Sequence, residues 1–124
     1  MLNRTPIAVA SSVAADNNFD NLDALTYAIE HNFSGFQPYI TLAFASEITL
    51  LSKIASLCQT NNLRLIAHLP GTLTREIVEN HALNEAVKLL FQGSQEIRVV
   101  HHYDEHVPLE DALESLSYAN RFNI

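Results

Sequence analysis

The sequence predicts an α/β protein in which parallel strands alternate with helices. Three observations carry this expectation. Short β-rich runs recur about 30 residues apart, the length of one strand–helix unit. Between them, apolar residues recur at helical spacing. Two of the runs, Leu63-Arg-Leu-Ile-Ala-His68-Leu-Pro70 and Glu96-Ile-Arg-Val-Val-His101-His102-Tyr-Asp104, deliver histidine at their C-terminal ends. In parallel α/β proteins, ligands and metals bind at that end of the strands.

The first strand is predicted over residues 7–11 and its helix over 20–31. Asp20 caps that helix, and Leu22, Leu25 and Ile29 share one face. The second strand covers 35–40, after which Ser46 caps a helix with a buried stripe of Leu50, Leu51, Ile54, Leu57 and Cys58. Asn61 and Asn62 stop this helix, and the third strand runs over 63–68. Pro70, Gly71 and Thr72 turn the chain out of that strand, and Thr74 caps a third helical region. There Val78, Ala82, Leu83, Ala86, Val87 and Leu90 recur at helical spacing up to Gly93, a C-terminal helix signal. The fourth strand covers 96–102. Pro108 suits the first turn of a fourth helix, followed by Glu110 and Asp111, with Leu109, Ala112, Leu113 and Leu116 on its inner face.

This alternation implies parallel pairing with right-handed crossovers. The 124 residues make one domain, and 48% hydrophobic residues supply its core. Two architectures accommodate four βα units. One is half of a (βα)8 TIM barrel, ending before strand five, since a complete barrel needs about 250 residues. The other is a small open doubly wound sheet with helices on both faces. A half-barrel exposes its inner face and both sheet edges, and therefore carries the expectation of a homodimer or of a missing C-terminal half. Val9, Ile40, Leu65 and Val99 lie on these strands, and parity alone does not say which of them face inward.

Composition excludes several functions. The net charge is −7, and the basic residues Arg4, Lys53, Arg64, Arg75, Lys88, Arg98 and Arg121 are scattered. No basic stripe collects phosphates, so nucleic acid is not an expected partner. Cys58 is alone, which removes any intrachain disulfide or cysteine-based zinc site and reads as a buried hydrophobe. The apolar stretch from Ile7 to Ala15 is short and broken by Ser11 and Ser12, unlike a working signal peptide. No run approaches the ~20 apolar residues of a membrane span. A cytoplasmic protein without membrane contact is expected.

The candidate chemistry lies at the strand ends. A neutral imidazole at His68 can ligate a divalent metal or hydrogen-bond a sugar hydroxyl; the plainer reading is a bond to a backbone carbonyl. His101 and His102 are adjacent, so on a strand they point to opposite faces. Asp104, Glu105 and His106 follow, although a dense run of ligand-type side chains is by itself a weak signal. Gln37 and Tyr39 offer an amide and a phenol at the mouth of the second strand. His31 and His81 sit on helical patterns away from the strand ends.

Taken in order, Gly35-Phe-Gln-Pro-Tyr39, Leu65-Ile-Ala-His68-Leu-Pro70 and Ile97-Arg-Val-Val-His101 resemble strands two to four of the xylose-isomerase-like TIM barrels. That superfamily holds sugar-phosphate isomerases and epimerases and the metal-dependent AP endonucleases. The likeness covers nearly the whole chain but only the N-terminal half of the family fold. It implies a sugar or sugar phosphate as ligand, contacted by His68 and His101, with Gln37 and Tyr39 offering further contacts from the second-strand mouth. It also implies a divalent metal (Zn, Mn or Mg) near His68 and His101, to which His102 and Asp104 on the same stretch are candidate additions. The chain departs from the family at Gln37, where an acidic residue is common, and at His102-Tyr103, where Pro-Gly is common. The family's main metal carboxylates come from strand five onward. The resemblance therefore implies a partial isomerase or epimerase, inactive alone, that does not hold its metal tightly. A non-catalytic binding or self-assembling module is the alternative. A phosphodiesterase of the AP endonuclease type is a third reading, disfavoured by the acidity.

Overall fold

A computed structural model of the chain describes residues 5–10, 20–72, 74–92, 96–102, 106, 108–111 and 113–114. Its elements are β1 (Thr5–Ala10), α1 (Asn21–Glu30), β2 (Phe33–Gln37), a 3-10 turn (Phe44–Ser46), α2 (Ile48–Thr60), β3 (Arg64–Leu65), β4 (Ala67–Thr72), α3 (Arg75–Val78), α4 (His81–Leu90) and β5 (Val99–His102). Residues 109–111 and 113–114 are also helical. The protein is α/β, with parallel strands in two small sheets of order β1-β2-β3 and β4-β5. Among the described residues, no helix is long and apolar enough to cross a membrane.

Ile66 alone separates β3 from β4, and backbone hydrogen bonds cross this break. The N–H of Ile66 donates to the Phe36 carbonyl (3.0 Å) and that of His68 to the Pro38 carbonyl (2.9 Å). The N–H of Ile40 donates back to the His68 carbonyl at 2.8 Å, and that of Ala67 donates to the Arg98 carbonyl at 2.9 Å. Pro38 has no N–H to give, so β2 stops as a regular strand at Gln37, short of the expected residue 40.

Strand parity settles which side chains meet the helices. Val9, Phe36 and Leu65 stand abreast in register and are buried. Phe36, Ile40, Leu65, Ala67 and Leu69 form one cluster with residues of α1 (Ala24, Leu25), α2 (Leu51, Ile54, Cys58) and α4 (Leu83, Ala86, Val87, Leu90). Each large aliphatic or aromatic side chain so buried stabilises the fold by about 1.5–3 kcal/mol. Val99 packs against this cluster partly buried. Of the expected stripe on α2, Leu51, Ile54 and Cys58 are buried, while Leu50 and Leu57 are half-buried.

Capping follows the sequence in most places. Asp20 accepts from the N–H of Asp23 at 3.0 Å and Thr74 from that of Ile77 at 3.3 Å. Asn61 is the C-cap of α2, and Asn62 turns the chain at φ 53°. Ser46 does not cap α2. It lies in the 3-10 turn, its hydroxyl donates to the Ala43 carbonyl, and Glu47 holds the cap position without a side-chain bond. The third helical region is two helices, because Asn80 accepts from the N–H of Leu83 and starts α4 afresh. Pro70, Gly71 and Thr72 stay within β4; Gly71 takes φ 65°, in a region that favours glycine, between paired positions whose register shifts.

Further differences lie at the C-terminal side. The fourth strand begins at Val99, not at 96. Leu109 and Leu113 are exposed, not turned to an inner face. Ser11, Gly93, Ala112 and Leu116 lie outside the described residues.

Gly35 allows the three strands β1, β2 and β3 to approach. A Cβ there would meet the Ala8 Cβ and the Arg64 carbonyl oxygen, each at 3.0 Å. One of these neighbours is backbone and cannot rotate away. Gly35→Ala is therefore expected to destabilise the protein by about 1–3 kcal/mol, as overpacked sites do. Urea unfolding with an unchanged midpoint would refute this close approach.

Candidate functional site

The C-terminal ends of β2, β4 and β5 bring Gln37, Tyr39, His68 and His102 together. The backbone does most of the positioning. His68 is bonded on both sides of its peptide to the chain that continues β2, and Tyr39 forms a parallel bridge with it. Thr72 pairs with His102, which aligns the end of β5 with that of β4.

A buried asparagine holds the β2 end from the helix layer. The Asn21 amide nitrogen donates to the Tyr39 carbonyl (3.1 Å), and the Asn21 amide oxygen accepts from the Tyr39 N–H (3.2 Å). This pair of bonds satisfies both backbone groups of a residue just beyond the regular strand. The sequence reading missed Asn21. Its signal is a polar residue directly after the capping Asp20, one turn before the buried Ala24 and Leu25.

The side chains around His68 then pack in order. The Tyr39 ring meets the His68 imidazole edge-on, with centroids 5.0 Å apart and planes at 70°. The His102 ring lies on another side at 4.7 Å, tilted by 49°. The Gln37 amide nitrogen contacts His68 Nδ1 at 3.4 Å. When the amide donates there, Nδ1 is the acceptor and the ring hydrogen sits on Nε2. Nε2 is buried and has no hydrogen-bond partner among the described residues. A buried polar atom left this way costs about 1–3 kcal/mol, so it marks where a ligand atom is welcome.

Burial lowers the His68 pKa below the usual histidine range, and the positive charge available to His102 lowers it further. His68 is therefore a neutral imidazole at pH 7, suited to hydrogen bonding, ligation or uptake of one proton. An amide at position 37 is compatible with that state, whereas a carboxylate there would favour the imidazolium. Cys58 plays no such role: burial pushes its thiol up to about 12, and it belongs to the core.

The family register favours His101; the ring described beside His68 is that of His102. The backbone of His101 is in β5; its side chain, and all of Asp104, lie outside the described residues. His31 is exposed and stacks on Tyr27 with centroids 4.1 Å apart, and His81 is exposed at the start of α4. Among the described residues, no group of three or more His, Cys, Asp and Glu could hold a metal ion. Tyr39 also borders a cleft of about 470 Å³, whose walls include Asn21, Thr41, Phe44, Glu47 and Leu50.

Removing the asparagine clamp tests the positioning. Asn21→Ala is expected to cost about 1–3 kcal/mol and to speed hydrogen exchange at the Tyr39 amide. Unchanged exchange would show that the clamp is dispensable. The acid response tests His68. Its folded pKa is lowered, so the unfolded chain takes up the proton first. Stability is then unaffected well above pH 6.5 and falls as pH drops through about 6.5 towards the folded value. A histidine ring titration by NMR should place His68 below the ordinary midpoint, and Gln37→Glu should raise it. A His68 midpoint at or above 6.5 in the unaltered protein would contradict this environment.

No family model, curated protein or solved structure matches this chain.

Proposed function

We propose that the chain forms the first four strand–helix units of a (βα)8 barrel of the sugar isomerase or epimerase type. Gln37, Tyr39, His68 and His102 then bind hydroxyl and carbonyl oxygens of a sugar or sugar phosphate. The observation that carries this reading is the unpartnered, buried Nε2 of His68 amid side chains from β4, β5 and the end of β2. Polar groups converging at the C-terminal ends of parallel strands are what such ligands require.

Strand order supports the half-barrel over the doubly wound alternative. With β3 and β4 counted as one interrupted strand, neighbours in space follow chain order without reversal. Right-handed crossovers then carry every helix to the same side. A single core cluster shared by α1, α2 and α4 agrees with this. A doubly wound sheet needs a point where the order reverses.

The chemistry of the intact family type moves a proton or hydride next to a carbonyl, supported by a divalent metal and carboxylates. Here His68 supplies a neutral imidazole whose Nε2–H can donate to a hydroxyl or carbonyl oxygen of the ligand. The carboxylates implied by the resemblance belong to strands beyond these four. Binding without turnover follows for these four units on their own.

Titration of histidine-labelled protein with xylose and with ribose 5-phosphate tests the reading. Saturable shifts of the His68 and His102 ring resonances are expected in the millimolar range, which corresponds to about −4 kcal/mol. His68→Ala should abolish the His102 response, and succinate should produce none. Absence of any saturable shift would overturn ligand binding. Robust isomerase turnover by the unaltered chain, lost in His68→Ala, would overturn the claim that it is inactive alone.

A further inference from the structure

We infer that two copies of this 124-residue chain associate through both sheet edges into one closed eight-stranded barrel, so that two His68–His102 clusters face each other across a shared lumen. The inference rests on the half-barrel reading above, and three observations carry it.

First, β1 and β5 are end strands among the described residues, each paired on one side only. All pairings are parallel. A two-fold axis along the barrel axis would bring the partner's β1 beside β5 in the same direction, and β5 of this copy's partner beside β1. One symmetry operation thus closes both edges with identical seams, and the assembly stops at two. An unrelated partner strand would cover one edge and leave the other open.

Second, Leu109 and Leu113 are 62% and 55% exposed, four residues apart in the helical segment that follows β5. After a right-handed crossover, that segment lies over β5 and over the next position in the sheet. Exposed leucines there need a strand beneath them. The partner's β1 is the strand that the two-fold axis places there.

Third, the strand count fits. Eight parallel strands enclose a lumen that side chains just fill. The described strands of two copies supply that number, with the interrupted β3–β4 strand counted once per copy. Under the two-fold axis, the strands bearing His68 and His102 stand opposite the same strands of the partner. The site gains a second pair of imidazoles, and a ligand at the mouth formed by the C-terminal strand ends is gripped from two sides.

Sedimentation of the 124-residue chain from low to high micromolar concentration tests this. A dimer without larger species is expected. The double variant Leu109→Lys, Leu113→Lys should sediment as a monomer with an unchanged far-UV spectrum. Ile48→Lys, at an exposed position on α2, should leave the dimer intact. Ring resonances of His68 and His102 should shift with concentration in the unaltered chain and stay fixed in the double variant. A monomer at every concentration would overturn the inference, as would a dimer that survives the double variant or is lost with Ile48→Lys. Should the double variant lose its far-UV spectrum, the concentration-dependent His68 shift in the unaltered chain decides, and its absence overturns the closed barrel. Saturable sugar binding by a chain that never dimerises would leave the earlier proposal standing and remove only this one.

Discussion

The paired backbone bonds on either side of His68 set the terms for the rest of the molecule. The chain leaves β2 through Pro38, a residue that cannot extend a regular ladder, yet its carbonyl accepts from His68 and the next N–H but one returns a bond to the His68 carbonyl. These contacts join the two small sheets and lock the register of three successive strands. Because side chains alternate along a strand, a one-residue slip would send Phe36, Ile40, Leu65 and Leu69 away from the helices. The same slip would turn His68 into the core. Core and candidate site therefore depend on one register.

The helix layer and the site are coupled through Asn21. A buried asparagine is costly unless its amide is satisfied, and here the Tyr39 backbone satisfies it. That exchange serves both partners, since Tyr39 lies beyond the regular strand. The N-terminal turn of α1, fastened by Asp20, thereby holds the aromatic ring that packs against His68. The site's electrostatics follow from the same compactness. Burial, and after it the neighbouring His102, lowers the His68 pKa and keeps His68 neutral.

Much of this was legible in the residues. Helix positions followed from apolar spacing and from Asp20, Thr74 and Asn61, because caps and amphipathic faces are local properties. The histidine and the strand mouth at Gln37 and Tyr39 were also visible, since strand ends follow from the alternation of elements. The break of one helical region at Asn80 is a local cap that the continuous apolar spacing obscured. The continuation of β4 through Pro70–Thr72 is not local, since it rests on pairing with β5.

The sequence by itself determined the α/β class, the parallel alternation and the gathering of imidazole at strand ends, because period and capping need only a few adjacent residues. Tertiary structure alone decided that the His102 ring lies beside His68. The β4–β5 register pairs Thr72 with His102, an alignment that no reading of the single strand could supply. It also decided the role of Asn21, whose partner lies 18 residues away. Long-range register is a property of paired backbones, and adjacent residues do not encode it.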